Sequence, residues 1–558
     1  MKRLHLVLAA IVLAAPTAAR AQAWDPDLGN GRYRNPVVYA DYSDPDIVRV
    51  GGDFYMTASS FGHVPGLPIL HSRDLVSWRI VNYAIRRLPS PDFDAPQHGN
   101  GVWAPSIRYH AGEFYIYYGD PDRGIYVVKT RDPLGAWDPP VLVRAAKGWI
   151  DPAPLWDDDG NAYLVHAFAR SRSGIKHVLH VNRMSPDGLR LLDEGTPVFM
   201  DSVRHPTMEG PKFYKRGGWY YIFAPAGGVP TGWQTVLRSR SPLGPYEDRI
   251  VLAQGTSAVN GPHQGAWVEL ASGEHWFAHF QDRGPYGRIV HLQPMVWRAD
   301  GWPVIGRDPD GDGTGEPVAE WAKPNVGRNV GRRRAERAVP QTSDEFGGTR
   351  LGLQWQWQAN EQPGWYALGA RRGMLRLHAL PASSADGNLW TAPNLLLQKL
   401  PAPEFTATTR VSLAPGGGAA RAGLVVFGLD YAYLALRRTD AGGGASELVQ
   451  ARRAKADGGA GAEEQVVAAL PAGAGAVYLR VTVSEGAVCQ FSYSLTGRQG
   501  DFTPIGGAFQ AREGRWVGAK VGLFALAPFG AADRGQFADF DFFRIAPAKD
   551  AGGVASRR

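Results

Sequence analysis

Along the first 300 residues, the apolar and polar positions repeat one phrase five times. A polar or acidic start leads into an apolar run, a Gly-containing turn and an aromatic pair. The copies are SDPDIVRVGGDFYM from Ser43, WAPSIRYHAGEFYI from Trp103, IDPAPLWDDDGNAYLV from Ile150, MEGPKFYKRGGWYYI from Met208 and PHQGAWVELASGEHWF from Pro262. They begin about 45–60 residues apart, the period of a β-propeller blade. Each copy reads as a strand, a tight turn and a second strand. A second signature follows in HSRDLVSWRIV, KTRDPLGAWDPPVLV and RSRSPLGPYEDRIVL, each a strand, a turn and an aromatic entry to an outer strand. Helical periodicity is nearly absent here, and Gly, Pro and Asp break the runs. Residues 32–307 are therefore predicted to form a five-bladed propeller.

From Ser343 to about Ile545 the rhythm changes to longer alternating runs such as GMLRLHAL, EFTATTRVSL, AGLVVFGLDYAYLALRR and AVYLRVTVSEG. These predict a β-sandwich of concanavalin or jelly-roll type, making the whole chain all-β. Residues 308–342 are expected to be an acidic turn followed by a basic linker, and 546–558 a disordered tail.

The N-terminus changes the picture of where the protein works. Lys2 and Arg3, the apolar stretch Leu4 to Ala15 and the small residues of Ala19-Arg20-Ala21 form a secretory signal pattern over residues 1–21. A cut after Ala23 fits nearly as well as one after Ala21. The mature protein is expected to be soluble and secreted or periplasmic, without a membrane span. The one cysteine, Cys489, allows no internal disulfide and reads as a small core residue on a strand. The formal charge of +7 falls to +4 without the signal. The segment KPNVGRNVGRRRAER carries a net +5, so the rest of the protein is slightly acidic. Basic charge confined to a Gly-rich linker argues against nucleic acid as a partner. The 18 Trp residues suit either sugar stacking or core packing.

Three repeats carry a carboxylate at the same early position, namely Asp44, Asp151 and Glu209. The innermost strands of a propeller surround one axis, so the three groups should converge in one pocket. Carboxyl groups in different environments suit acid–base hydrolysis of a glycosidic bond. A single Asp before Pro is more often a turn residue; three at matched positions, together with the phrases quoted below, reverse that reading. Asp46 competes with Asp44, and strand alternation would point it to the other side. In DPDGDGTGEPV, from Asp308, the first six residues match the start of a calcium loop. Position 12 is Ala319, however, where such a loop needs Glu. An acidic turn is the competing reading, and the favoured one.

These residues sit in phrases that resemble glycoside hydrolase family 43, especially its two-domain β-xylosidases and α-L-arabinofuranosidases. The matching phrases include RNPVVYADYSDPDIVRVGGDFYMTASSF, GVWAPSIRYHAGEFYIYYG, GPHQGAWVE and YGRIVHLQPMVWRADGWPVIG. In the second domain they include SDEFGGTRLGLQWQWQ and FADFDFFRI. The resemblance implies an inverting hydrolase with Asp44 as general base, Glu209 as general acid and Asp151 as the group that raises and orients the acid. Base and acid would stand about 6.5–9.5 Å apart, with a water between. It further implies that Arg288, Trp103, Phe61 and His263 contact the sugar, with a surface role for Arg288 and core packing for Phe61 as alternatives. No cofactor is required, but a Ca2+ ion near His263 at the axis, held indirectly, belongs to the same implication. The expected substrate is a xylo- or arabino-oligosaccharide that loses a terminal β-D-xylose or α-L-arabinofuranose. An endo-arabinanase and a non-catalytic carbohydrate-binding propeller are the alternatives. Oligomeric state is not legible.

Overall fold

The structure is a computed structural model that describes residues 22–327, 337–414, 420–438, 446–458, 461, 463–471, 474–531 and 535–548. The signal pattern, the arginine run of the linker and the last ten residues lie outside the described residues.

Five four-stranded antiparallel sheets follow one another in chain order. Their innermost strands are Asp46–Val50, Trp103–His110, Trp149–Trp156, Lys212–Arg216 and His263–Glu269. Alternation along each blade puts apolar side chains on both faces, because each sheet is covered by its neighbours. Five apolar seams result, one between each successive pair of blades and one closing blade five onto blade one. The closing seam joins Ile47, Phe54 and Met56 of blade one to Ala266, Trp276 and Leu292 of blade five. The chain before blade one straps this joint. Val38 bridges Val290, and the Asn35 side chain donates to the carbonyls of Leu292 and Val318.

The acidic turn and the start of the linker are part of the propeller, which corrects the expected boundary at 307. Gly315 bridges Leu252 and Glu316 bridges Arg307. Glu320–Ala322 then pairs with Arg32–Arg34 across the strap. In the turn itself, Asp308, Asp310 and Asp312 bring their carboxylates within 4.8 Å of one another. Asp308 spends its oxygens on the N–H groups of Gly311 and Gly313, at 2.8 and 3.0 Å. The turn reading thus accounts for these residues.

The second domain packs an eight-stranded sheet against a seven-stranded one. Cys489 is fully buried between strands. One core cluster runs through both domains, with Tyr39, Tyr286 and Ile289 of the propeller packed among Trp355, Leu377 and Phe405 of the sandwich. Val64 and Trp357 exchange two backbone hydrogen bonds across the joint. Asn360, fully buried, accepts from the Leu88 N–H at 2.8 Å and donates to the Leu88 carbonyl at 3.2 Å and to Asp94 at 3.0 Å.

Asn360→Ala leaves the Leu88 backbone without these partners in a buried joint. The expected loss is about 2–4 kcal/mol, read as a lower urea midpoint at unchanged slope. A midpoint equal to wild type would show that the joint does not depend on this side chain.

Candidate active site

Each innermost strand enters from one residue with left-handed backbone: Asp44 (φ 56), Ala104 (φ 28), Asp151 (φ 57), Gly210 (φ 59) and Gln264 (φ 44). Pro follows the first four, and its missing N–H leaves no donor unpaired at the strand mouth. A non-glycine residue held at positive φ is strained, and such strain gathers at functional sites. The four non-glycine residues all line one pocket of about 350 Å³, at the small end of ligand sites.

The frame corrects two expectations. Asp44 does not begin a strand; it stands two residues before one. Nor do the three carboxylates share one position. Glu209 precedes the left-handed residue of blade four, and Gly210 occupies it. A Cβ on Gly210 would lie 2.3 Å from the Gln264 side chain, so this close approach requires glycine.

Asp44, Asp151 and Glu209 nonetheless meet in the pocket. Asp44 is 4 % exposed. It accepts from Ser43 Oγ at 2.6 Å, Ser59 Oγ at 2.5 Å and Arg288 Nη1 at 3.3 Å. Ser59 is itself held by the Ala104 N–H at 2.7 Å. Asp46 is separated from this group: it is fully buried between blades, accepting from Arg108 at 2.6 Å and from the Ile107 N–H at 2.8 Å.

Glu209 shows 27 % of its side chain to the pocket, with protein packed densely around the rest. Burial first, and then the negative charge of Asp44, push its carboxyl up to about 7, against the pull of Arg288 and Lys176. Asp151 is only 3 % exposed and accepts from the Gly210 N–H at 2.7 Å. Burial first, and then the charge of Glu209, hold it well above the usual carboxylate range. Asp151 also has a positional part: its oxygen fixes the peptide that joins Glu209 to Gly210.

Phe61, Trp103 and Arg288 line the pocket as well. Phe61 and Trp103 stand edge to face at 6.2 Å. His263 does not line it. It is fully buried beneath Glu209, with Nε2 3.7 Å from Oε1, because its strand turns the ring inwards. It is thus a floor residue, not a sugar contact. Burial, Arg288 and His279 lower its pKa to about 3, so the ring is neutral.

Both ring nitrogens of His263 are without a hydrogen-bond partner. One imidazole is a poor calcium cage, since Ca2+ takes six to eight oxygen ligands. Among the described residues, the only cluster of three or more ligating side chains is the Asp308 turn. The residues at the axis do not fit a calcium site built from protein ligands.

Several lining residues escaped sequence reasoning, chiefly Thr207, Gln264, Lys176, Pro230 and Trp516. Trp516 comes from the sandwich, at φ 64 and 50 % exposed, with its ring 6.2 Å from that of Trp103. A tryptophan between charged and glycine residues, in REGRWVG, was the available signal.

Comparison with known proteins matches both domains. A model of glycosyl hydrolases family 43 matches residues 33–303, and one of the β-xylosidase C-terminal concanavalin A-like domain matches 343–546. A protein of Xylanibacter ruminicola with a provisional β-xylosidase name is 43% identical over 89% of this chain and 86% of its own. A non-reducing end α-L-arabinofuranosidase of Bacteroides ovatus is 29% identical over 92% and 95%. The crystal structure of a xylan β-1,4-xylosidase from Bacillus halodurans superposes with a TM-score of 0.79 at 26% identity, covering 92% of this chain and 99% of that one.

Gly210→Ala places a methyl group against Gln264 at a positive φ. The expected cost is about 1–3 kcal/mol, visible as a lower melting temperature. An unchanged melting temperature would remove the close-approach argument.

Proposed function

The chain belongs to glycosyl hydrolase family 43, and on that premise we propose that it is an exo-acting, inverting pentosidase. It releases terminal β-D-xylose, α-L-arabinofuranose or both from oligosaccharides of plant polysaccharides. The observation that carries this reading is one small pocket holding a carboxylate clamped by donors, Asp44, and a carboxyl lifted to about 7, Glu209. A carboxylate clamped by donors, facing a carboxyl raised by burial, suits paired base and acid roles.

Asp44 takes a proton from water as the water oxygen bonds to the anomeric carbon. Glu209 gives its proton to the glycosidic oxygen as the carbon–oxygen bond breaks, and the shortened chain leaves as an alcohol. The two protons then re-equilibrate with solvent. Arg288, beside Asp44, also has donors to offer a sugar hydroxyl. Asp151 holds the peptide of Glu209 in place. Base and acid come from blades one and four, which favours the wide spacing of single displacement.

Action at chain ends is supported by Trp516, which walls the pocket from the sandwich side. An endo-arabinanase would need an open groove there. A binding module would have no use for an acid lifted to about 7. The relatives carry xylosidase and arabinofuranosidase names alike, consistent with either pentose. Export to the periplasm or medium is part of the proposal and rests on the N-terminal pattern. Among the described residues, no helix is long and apolar enough to cross a membrane.

On aryl β-xyloside or aryl arabinofuranoside, Asp44→Asn should abolish turnover with every leaving group. Glu209→Gln should slow poor leaving groups far more than good ones. Near wild-type rates in Asp44→Asn would remove the assignment.

The acid works only while protonated, so kcat/KM should fall as pH rises through about 7. Glu209→Gln should erase that basic limb. A limb that persists in the variant belongs to another group.

Proton NMR of the first-formed sugar, before mutarotation, reads the stereochemistry. A β-xyloside should yield α-xylose first; initial β-xylose would mean retention and overturn both roles.

A further inference from the structure

Asp41 lies outside the pocket, three residues before Asp44, and is 3 % exposed. Each of its carboxylate oxygens takes one backbone donor, and the two donors belong to different domains. Oδ1 accepts from the N–H of Arg288 at 2.9 Å. Oδ2 accepts from the N–H of Gly518 at 3.0 Å. Arg288 is the first residue of its strand and carries the guanidinium at Asp44. Gly518 ends the loop that carries Trp516.

The surroundings are built tightly around this carboxylate. Gly287 has φ +72, and a Cβ there would lie 2.5 Å from Asp41 Cγ. A Cβ on Gly518 would lie 2.6 Å from the Gly287 nitrogen. The Ala519 N–H donates to the Pro285 carbonyl at 2.7 Å, closing the same joint. Lys399 and Lys520 are cross-strand neighbours on the sandwich side. Burial lowers the pKa of both, and the negative charge of Asp41 opposes that shift in each. A neutral side chain at position 41 would remove this counter-charge from the two lysines.

We propose that Asp41 is a positioning residue for the reaction, one carboxylate that ties the arginine beside the base to the sandwich loop that walls the pocket. The proposal rests on the reading of Arg288 and Trp516 as parts of the pentose pocket. It makes the sandwich part of the catalytic geometry, since Arg288 is placed by a group that the sandwich loop also holds. Asn is the informative replacement. It keeps the shape of Asp but has one acceptor oxygen where two donors must be met, so one of the two bonds is lost.

The test uses the full-length protein and whichever aryl pentoside it hydrolyses. Asp41→Asn should lower kcat/KM by about ten- to a hundredfold, the usual effect of a small misplacement of a reacting group. The loss should depend on Arg288: in an Arg288→Ala background, Asp41→Asn should cost less than about twofold more. Fully additive losses would overturn the proposal, as would an Asp41→Asn enzyme with wild-type kcat/KM.

The basic limb gives a readout that loss of folded protein does not move. Glu209 faces Asp44, Asp151, Arg288, Lys176 and His263, and Arg288 is the strongest of these in holding its pKa down. A displaced Arg288 should therefore move the limb to higher pH. Gly518→Ala, which pushes the loop from Gly287 without touching a charge, should show the same signs.

A crystal structure of Asp41→Asn separates the two readings. Displacement of Gly518 or Arg288 from residue 41 supports the tie, and both bonds intact overturn it, whatever the substrate. If wild type hydrolyses neither aryl pentoside, the functional reading fails while the crystal structure still judges the tie.

Discussion

The pocket depends on one guanidinium placed among buried acids. Arg288 Nη1 reaches Ser43 Oγ at 2.8 Å and Asp44 at 3.3 Å. The same charge restrains the rise of Glu209 and adds to the burial that keeps His263 neutral. Without a cation here, Glu209 would lose the charge that opposes its rise, and Asp44 would lose a charged donor. With a cation closer to Glu209, the acid would ionise too early. The arrangement works because Arg288 touches Asp44 and acts on Glu209 only across space.

That placement follows from the propeller. Each blade is a four-stranded sheet that cannot bury both faces alone, so the five apolar seams close the ring and bring five strand mouths around one axis. At four of the mouths the left-handed residue lines the central pocket, and at the fifth, where it is Gly210, the preceding Glu209 does. The ring therefore fixes the carboxylates to one another more firmly than a set of surface loops could. The sandwich covers one side of this ring through a shared core. That core gives Trp516 a fixed place opposite Trp103.

Much of this was legible in the sequence, for a physical reason. Blade repeats are periodic, so a carboxylate in SDPD and one in IDPA announce equivalent positions before any coordinates. The break to longer alternating strands at Ser343 marked the sandwich in the same way. The one-residue offset of Glu209 was hidden because EGP and SDP align equally well by eye; only the backbone of Gly210 separates them. His263 was read as a contact because its strand mouth is equivalent to that of Glu209, and sequence does not tell an inward ring from an exposed one. Trp516 and Asp41 were invisible for a further reason. Each has a partner in the other domain, and no periodicity within one domain encodes a contact with another.

The offset in blade four also gives three similar acids different surroundings, as the roles proposed for them require. Asp44 and Asp151 sit at the left-handed position itself, on short side chains, and are 4 % and 3 % exposed. Their surroundings then divide them. Asp44 has two hydroxyls and a guanidinium; Asp151 has one backbone N–H and a carboxyl neighbour. Glu209 starts one residue earlier and reaches further, so part of it faces the pocket opening. A group that must pass a proton to a departing oxygen needs that access. A group that must hold a water against the sugar needs to be clamped. On the proposed roles, the same repeat yields a fixed base, a buried peptide anchor and an accessible acid. The change that separates the acid from the other two is a glycine, Gly210, in the place where blades one and three carry aspartate.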